Sequence, residues 1–152
     1  MRWFEDFHVG DTHDLGSRVL TRDEIVDFAR QWDPQPFHTD EEAAADGPFG
    51  GLVASGWQTA CVAMRLYVDH LIAGTASMGS PGIEELRWLA PVRPGDELRV
   101  SVHVDDARPS ATRADRGTVH LTWEVRNGDD VVVCRMRARG MFGRRPADAA
   151  QA

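Results

Sequence analysis

Residues 32–56 carry the stretch that decides the fold, WDPQPFHTDEEAAADGPFGGLVASG. An aspartate, Asp33, and a histidine, His38, are five residues apart in it, on a segment made stiff by two prolines. The stretch ends with Gly56, where a long apolar segment begins. It therefore predicts a rigid loop that presents two titratable groups, followed directly by the start of a helix.

The segment after this loop has the pattern of a buried helix. Ser55 is a good N-cap, because its hydroxyl can accept a hydrogen bond from a backbone N–H of the first turn. Apolar residues then recur at helical spacing, at Trp57, Ala60, Cys61, Met64, Val68 and Leu71. Further apolar residues occupy much of the opposite side, and a helix that is apolar nearly all round is typical of a protein core.

The pattern predicts one strand and one helix before this stretch, and a short helix within it. Residues 12–20 are expected to form a strand, which a glycine, Gly16, weakens. Thr21 and Glu24 make a capping box, which predicts a helix that ends before Pro34. A short helix is expected at residues 40–45.

Downstream, apolar and polar residues alternate with a period of two. The alternation predicts strands at residues 85–89, 98–104, 119–125 and 132–138, and Asn127-Gly128 predicts the hairpin between the last two. Such clean alternation is typical of antiparallel strands with one face in water. We therefore expect an α+β fold in which an antiparallel sheet curls around the long central helix.

Composition and length limit the classes of function. The chain has 152 residues, of which 42% are hydrophobic and 27% charged, as expected for a single globular domain at 1–143 with a flexible C-terminal tail at 144–152. A formal net charge of -7 argues against nucleic acid as a partner. The absence of a long apolar run or an apolar leader predicts no membrane contact and a cytoplasmic location. Cys61 and Cys134 lack metal or redox spacing, so we expect two buried thiols.

The same stretch resembles a known family. Asp33-x-Gln35-Pro36-Phe37-His38 resembles the signature G-D-x-N-P-[LIV]-H of MaoC-like dehydratases and (R)-specific enoyl-CoA hydratases, and FGGLVASG at 49–56 resembles their entry to the central helix. The similarity extends over most of the chain, and its specific part is residues 33–56. Three positions differ from the signature, with Trp32 in place of glycine, Gln35 in place of asparagine and Phe37 in place of a branched aliphatic residue. The tryptophan is expected to affect the substrate more than the reaction, because a bulky ring beside the aspartate reshapes the acyl tunnel.

The resemblance implies a hotdog fold and reversible syn addition of water to a 2,3-trans-enoyl thioester, giving a (3R)-hydroxyacyl thioester. His38 would act as the base, since histidine side chains titrate near neutral pH. Asp33 would hold the same water and, once protonated, return a proton. The backbone N–H of Gly56, at a helix N-terminus, would bind the thioester carbonyl and stabilise the enolate oxygen.

The resemblance also implies partners and assembly. The expected substrate is an acyl-CoA or acyl-carrier-protein thioester, and the expected assembly is a homodimer or a dimer of dimers, in which sheet edges are covered. No metal or organic cofactor is expected, because no His/Cys/Asp cluster has ligand spacing and no glycine-rich phosphate loop follows a strand.

Other interpretations of the same residues stay open. An aspartate before proline is common in turns, and a lone histidine is often only a satisfied polar residue, so either side chain alone could be structural. A hotdog thioesterase would act on the same kind of thioester, but many of these carry a carboxylate on the central helix, and Ser55 to Ala60 contain none. A non-catalytic acyl-binding subunit would need neither Asp33 nor His38.

Overall fold

The alternating segments form one antiparallel sheet of five strands. The computed structural model describes residues 1–146, and residues 147–152 lie outside it. The strands are β1 (Thr12–Val19), β2 (Gly82–Trp88), β3 (Glu97–Pro109), β4 (Arg116–Arg126) and β5 (Val132–Gly143). Their order in the sheet is β1-β3-β4-β5-β2, so β1 and β2 are the two edges. The sheet predicted from the alternation is confirmed.

Four helices lie between β1 and β2 along the chain. They are α1 (Arg22–Trp32), α2 (Pro36–Thr39), α3 (Glu41–Ala45) and α4 (Gly56–Tyr67), and a π-helical turn at Val68–Ile72 extends α4. The capping box of α1 is present, with Thr21 and Glu24 bonded to each other's backbone N–H groups. Asp40 caps α3 through two backbone N–H groups. No helix within residues 1–146 is long and apolar enough to cross a bilayer.

The central helix α4 packs one face against the sheet. Val62, Ala63 and Leu66 are buried in the core. The ring centroids of Tyr67 and of Trp123 on β4 lie 4.2 Å apart. Each fully buried leucine or valine of this kind contributes roughly 1.5–3 kcal/mol to folding. The sheet therefore wraps around α4, which is the hotdog arrangement that the resemblance implies.

The expectation that α4 is buried all round is wrong for the single chain. Trp57, Met64 and Val68 remain 55%, 46% and 41% exposed, and they lie on one face because their spacing follows the helical repeat. The sheet covers the opposite face only. The expectation of two buried thiols is also half wrong: Cys134 is buried, but Cys61 is exposed at a shallow cleft where α1 covers only part of α4.

Two details of the sheet follow from single residues. Gly16 has a φ of 78°, and the pairing of β1 with β3 shifts register between Asp14 and Ser17, so the glycine forms a bulge within the strand. The predicted hairpin joins β4 to β5, where the side-chain oxygen of Asn127 accepts from the backbone N–H groups of Asp129 and Val131.

The end of β5 is tied to the N-terminal arm. The guanidinium of Arg144 donates to Glu5 at 2.9 Å, and that of Arg145 donates to Asp6 at 2.7 Å. These two arginines begin the segment predicted to be a flexible tail. The rest of that prediction, at 147–152, lies outside the described residues.

Candidate active site

The loop between α1 and α2 fixes Asp33. The backbone N–H of Asp33 donates to the carbonyl of Ala29 at 2.8 Å and so ends α1, and the next proline prevents the helix from continuing. Gln35 then serves as the N-cap residue of α2, which has a proline at its first position. Asp33 thus lies between the end of α1 and the start of α2.

The short helix α2 carries His38 into the core. The residue is only 6% exposed, and its Nδ1 atom lies 2.7 Å from the carbonyl oxygen of Val53. A carbonyl oxygen can only accept, so Nδ1 carries the proton, and in the neutral ring Nε2 is the basic nitrogen. The backbone N–H of Val53 donates in turn to the carbonyl of Phe37 at 3.1 Å. This pair of contacts fixes the orientation of the imidazole.

The carboxylate of Asp33 faces that basic nitrogen. Its Oδ2 atom lies 3.3 Å from Nε2 of His38 and accepts a hydrogen bond from the hydroxyl of Ser55 at 2.7 Å. Its Oδ1 atom accepts from the side-chain amide of Gln35 at 2.8 Å. Burial raises the pKa of Asp33, but the hydrogen bonds from Ser55 and Gln35 outweigh it, together with the positive charge that His38 carries when its ring is protonated, so that the pKa is lower than usual. The carboxylate is therefore held in its ionised form.

Gly56 is the first residue of α4 and lines the same cleft. Three backbone N–H groups of the first turn are satisfied by Ser55, through its hydroxyl to Trp57 and its carbonyl to Gln58 and Thr59. The N–H of Gly56 has no acceptor among residues 1–146. It is the remaining free donor at the positive end of the helix dipole.

The side chain of Trp88 accounts for a glycine at position 56. A Cβ atom there would collide with the indole of Trp88, which packs against the Cα position. The rings of Trp88 and Trp57 pack edge to face with centroids 5.3 Å apart. The glycine thus leaves room for the indole of Trp88 at the end of β2, whatever ligand approaches the amide.

The three residues expected to form the site share one cleft of about 530 Å³. Asp33, His38 and Gly56 all line it, and its walls are largely apolar. Five aromatic side chains contribute to the lining, Trp32, Phe37, Phe49, Trp57 and Trp88. Trp32 lies at the rim and is 68% exposed, so it borders the mouth of the cleft. The cleft can hold an apolar acyl group next to two groups capable of proton chemistry.

Sequence reasoning missed three parts of this site. It assigned Ser55 only as a helix cap, although its hydroxyl also donates to Asp33. It gave no role to Trp88 and did not predict α2. Four residues are too few for a periodic pattern, and the proline at the first position of α2 was the only local signal of a helix.

The described residues contain no group of three or more His, Cys, Asp or Glu side chains arranged to hold a metal ion. Apart from Asp33 and His38, no acidic or histidine side chain lines the cleft within residues 1–146. Independence from metals and organic cofactors stays a prediction.

Comparison with known proteins places this chain in a family. Residues 7–127 match the family model described as MaoC like domain. The structure of a MaoC-like dehydratase from Rhodospirillum rubrum is similar to this one, with a TM-score of 0.89 and 43% identity, over 96% of this chain and 99% of that one.

Two curated relatives carry functional names. A 3-hydroxybutyryl-CoA dehydratase from Methylorubrum extorquens is 33% identical, over 86% of this chain and 78% of its own length. A 3-hydroxyacyl-thioester dehydratase from Mycobacterium tuberculosis is 33% identical, over 70% of this chain and 72% of its own length. With its five-stranded sheet wrapped around α4, this chain belongs to the MaoC-like family of hotdog hydratases and dehydratases.

Proposed function

We propose that this chain is an (R)-specific enoyl-CoA hydratase, which in reverse is a 3-hydroxyacyl-CoA dehydratase. The observation that carries the proposal is the 3.3 Å approach of Nε2 of His38 to Oδ2 of Asp33 inside a largely apolar cleft. The names of the relatives support a 3-hydroxyacyl thioester as the product of hydration.

The two facing atoms suit a water molecule. Because Nδ1 of His38 bears the proton, Nε2 of the neutral ring and Oδ2 of Asp33 are both acceptors. A water that donates one hydrogen to each is oriented with its lone pairs towards the substrate. In the proposed reaction its oxygen attacks the β-carbon of the enoyl thioester while Nε2 takes one proton.

The proton then returns to the substrate from the same side. Attack at the β-carbon moves the π electrons onto the thioester oxygen, giving an enolate and an imidazolium paired with Asp33. The imidazolium transfers its proton to the α-carbon, and the enolate collapses to the (3R)-hydroxyacyl thioester. We assign this step to His38 and not to Asp33, because the lowered pKa of the aspartate makes it a poor proton donor. Delivery of both groups from one face accounts for syn addition.

The enolate oxygen needs a fixed hydrogen-bond donor. In this proposal the unpaired N–H of Gly56 donates a hydrogen bond to the thioester carbonyl. This hydrogen bond becomes stronger as negative charge develops on the oxygen. One such donor typically lowers the barrier by about 3–4 kcal/mol. The dipole of α4 acts in the same direction.

We further propose that the protein is a homodimer. The exposed residues Trp57, Met64 and Val68 form one apolar face of α4 and are not scattered singly over the surface. Ile83, on the edge strand β2, is also half exposed. A two-fold pairing that covers this face and the β2 edge would protect both.

A panel of trans-2-enoyl-CoA substrates tests the proposed reaction. Loss of the conjugated absorbance without release of free thiol, and formation of the (3R) product, is the expected result. Thiol release would indicate a thioesterase. Neither signal with any acyl chain, or with the corresponding acyl-carrier-protein thioesters, would support the non-catalytic alternative.

A further inference from the structure

Ser55 is the buried residue that joins the two halves of the candidate site. It is 0% exposed, and its hydroxyl donates to Oδ2 of Asp33 at 2.7 Å while it accepts from the backbone N–H of Trp57 at 3.3 Å. A hydroxyl has a single hydrogen, so the donation to Asp33 fixes its direction. The N-terminus of α4 is thereby connected to the carboxylate by one atom.

The oxygen that Ser55 contacts is the one that matters for the proposed reaction. Asp33 has two donors, and Gln35 contacts Oδ1, whereas Ser55 contacts Oδ2, which lies opposite Nε2 of His38. A carboxylate without such partners can rotate about its last bond and change the direction in which its plane faces. The bond from Ser55 opposes this rotation, and the oxygen that it holds is the one that lies 3.3 Å from Nε2 of His38.

We propose that Ser55 is a positioning residue of the proposed hydratase, whose hydroxyl holds Oδ2 of Asp33 towards the His38 ring and ties it to the start of α4. The inference rests on the proposed function for its kinetic consequence but not for its geometry. Three side chains lower the pKa of the Asp33 carboxylate. Ser55 and Gln35 are neutral hydrogen-bond donors, and His38 is the titratable group among them.

The helix-capping role of Ser55 can be separated from this second role. Glycine is nearly as good an N-cap as serine, so Ser55→Gly keeps most of the capping and removes the donor to Asp33. Ser55→Thr keeps a hydroxyl for both the cap of α4 and the hydrogen bond to Asp33. Thr21→Gly, at the N-cap of α1, is the matched control, because it removes a capping hydroxyl that does not contact Asp33.

The experiment measures kcat, KM and the melting temperature of these variants, together with the titration of the Asp33 carboxyl carbon by ¹³C NMR. For Ser55→Gly we expect kcat to fall about ten- to a hundredfold, as for loss of one hydrogen bond to a charged group. KM should change little, and the Asp33 titration should move to higher pH. In Ser55→Thr, which keeps the hydroxyl, both kcat and the titration of Asp33 should stay close to those of the wild type. Thr21→Gly should lower the melting temperature only, and Gln35→Ala should lower kcat less than Ser55→Gly.

An Asp33 titration unchanged in Ser55→Gly would overturn the proposal, as would a loss of kcat equal to that in Gln35→Ala or Thr21→Gly. If Ser55→Gly does not fold, the proposal requires Ser55→Ala to show the same shift in titration, and an unchanged titration there would refute it. A wild-type protein that hydrates no enoyl thioester would refute the proposed function instead, and the titration would still decide whether Ser55 holds Asp33.

Discussion

Nε2 of His38 lies 3.3 Å from Oδ2 of Asp33, while Nδ1 of the same ring is bonded at 2.7 Å to the carbonyl of Val53. The backbone contact sets the tautomer, and the tautomer makes the facing nitrogen a base. The Asp33–His38 pair is thus arranged by a residue on the segment that leads into α4, and the two halves of the sequence motif depend on each other.

The lowered pKa of Asp33 predicts how stability depends on pH. A carboxyl with a lower pKa in the folded state than in the unfolded chain stabilises the fold above the unfolded value, and this contribution is lost as the pH falls through the folded value. The difference in unfolding free energy between wild type and Asp33→Asn should therefore shrink as the pH falls below about pH 4, near the unfolded pKa. Denaturant unfolding at several pH values measures it. A difference that grows on acidification would contradict the account.

The contact between Gly56 and Trp88 predicts a coupled pair. Gly56→Ala should lower the unfolding free energy by about 1–3 kcal/mol, because the new methyl group collides with the indole. In a Trp88→Ala background the same substitution should cost much less, since the space is open. A double-mutant cycle by denaturant unfolding measures the coupling, with Trp88→Ala as the control. Equal costs in both backgrounds would show that the indole does not impose the glycine.

The exposed face of α4 predicts self-association. Sedimentation at micromolar concentration should give a mass of at least twice the 16.9 kDa of one chain. Val68→Glu should shift the protein towards the monomer, because a carboxylate would be buried in the interface. Val19→Glu is the control, since Val19 is similarly exposed but lies on β1, at the other edge of the sheet. A wild-type mass near that of one chain would contradict the dimer.

The residues that line the cleft predict a reaction without a metal. Exhaustive chelation should leave the hydration rate unchanged, because Asp33 and His38 are the only acidic or histidine side chains lining the cleft within residues 1–146. The measurement compares rates before and after dialysis against a chelator. Loss of activity that one added metal ion restores would refute this prediction.

Much of this fold could be predicted because its signals are local. The alternation of β3, β4 and β5, the capping box at Thr21 and the serine cap of α4 all depend on neighbours within a few residues. The joint presence of Asp33 and His38 on one stiff loop was enough to predict that they meet.

The rest depends on contacts between residues far apart in the chain. The bond from His38 to Val53 spans 15 residues and that from Ser55 to Asp33 spans 22, so no periodic pattern reports them. The approach of Trp88 to Gly56 depends on where β2 ends against α4. The exposed face of α4 was missed because an apolar helix has the same pattern whether its own sheet or a second chain covers it.

The most direct test of the proposed activity is the hydration rate of Asp33→Asn, His38→Ala and the double variant on the best trans-2-enoyl-CoA. Each single variant should lose about a hundred- to ten-thousandfold in kcat, the usual contribution of general acid–base catalysis. The double variant should lose little more, because both side chains act on one water. Circular dichroism and melting temperature confirm that each variant is folded. Folded single variants that hydrate the substrate at the wild-type rate would contradict the assignment of Asp33 and His38.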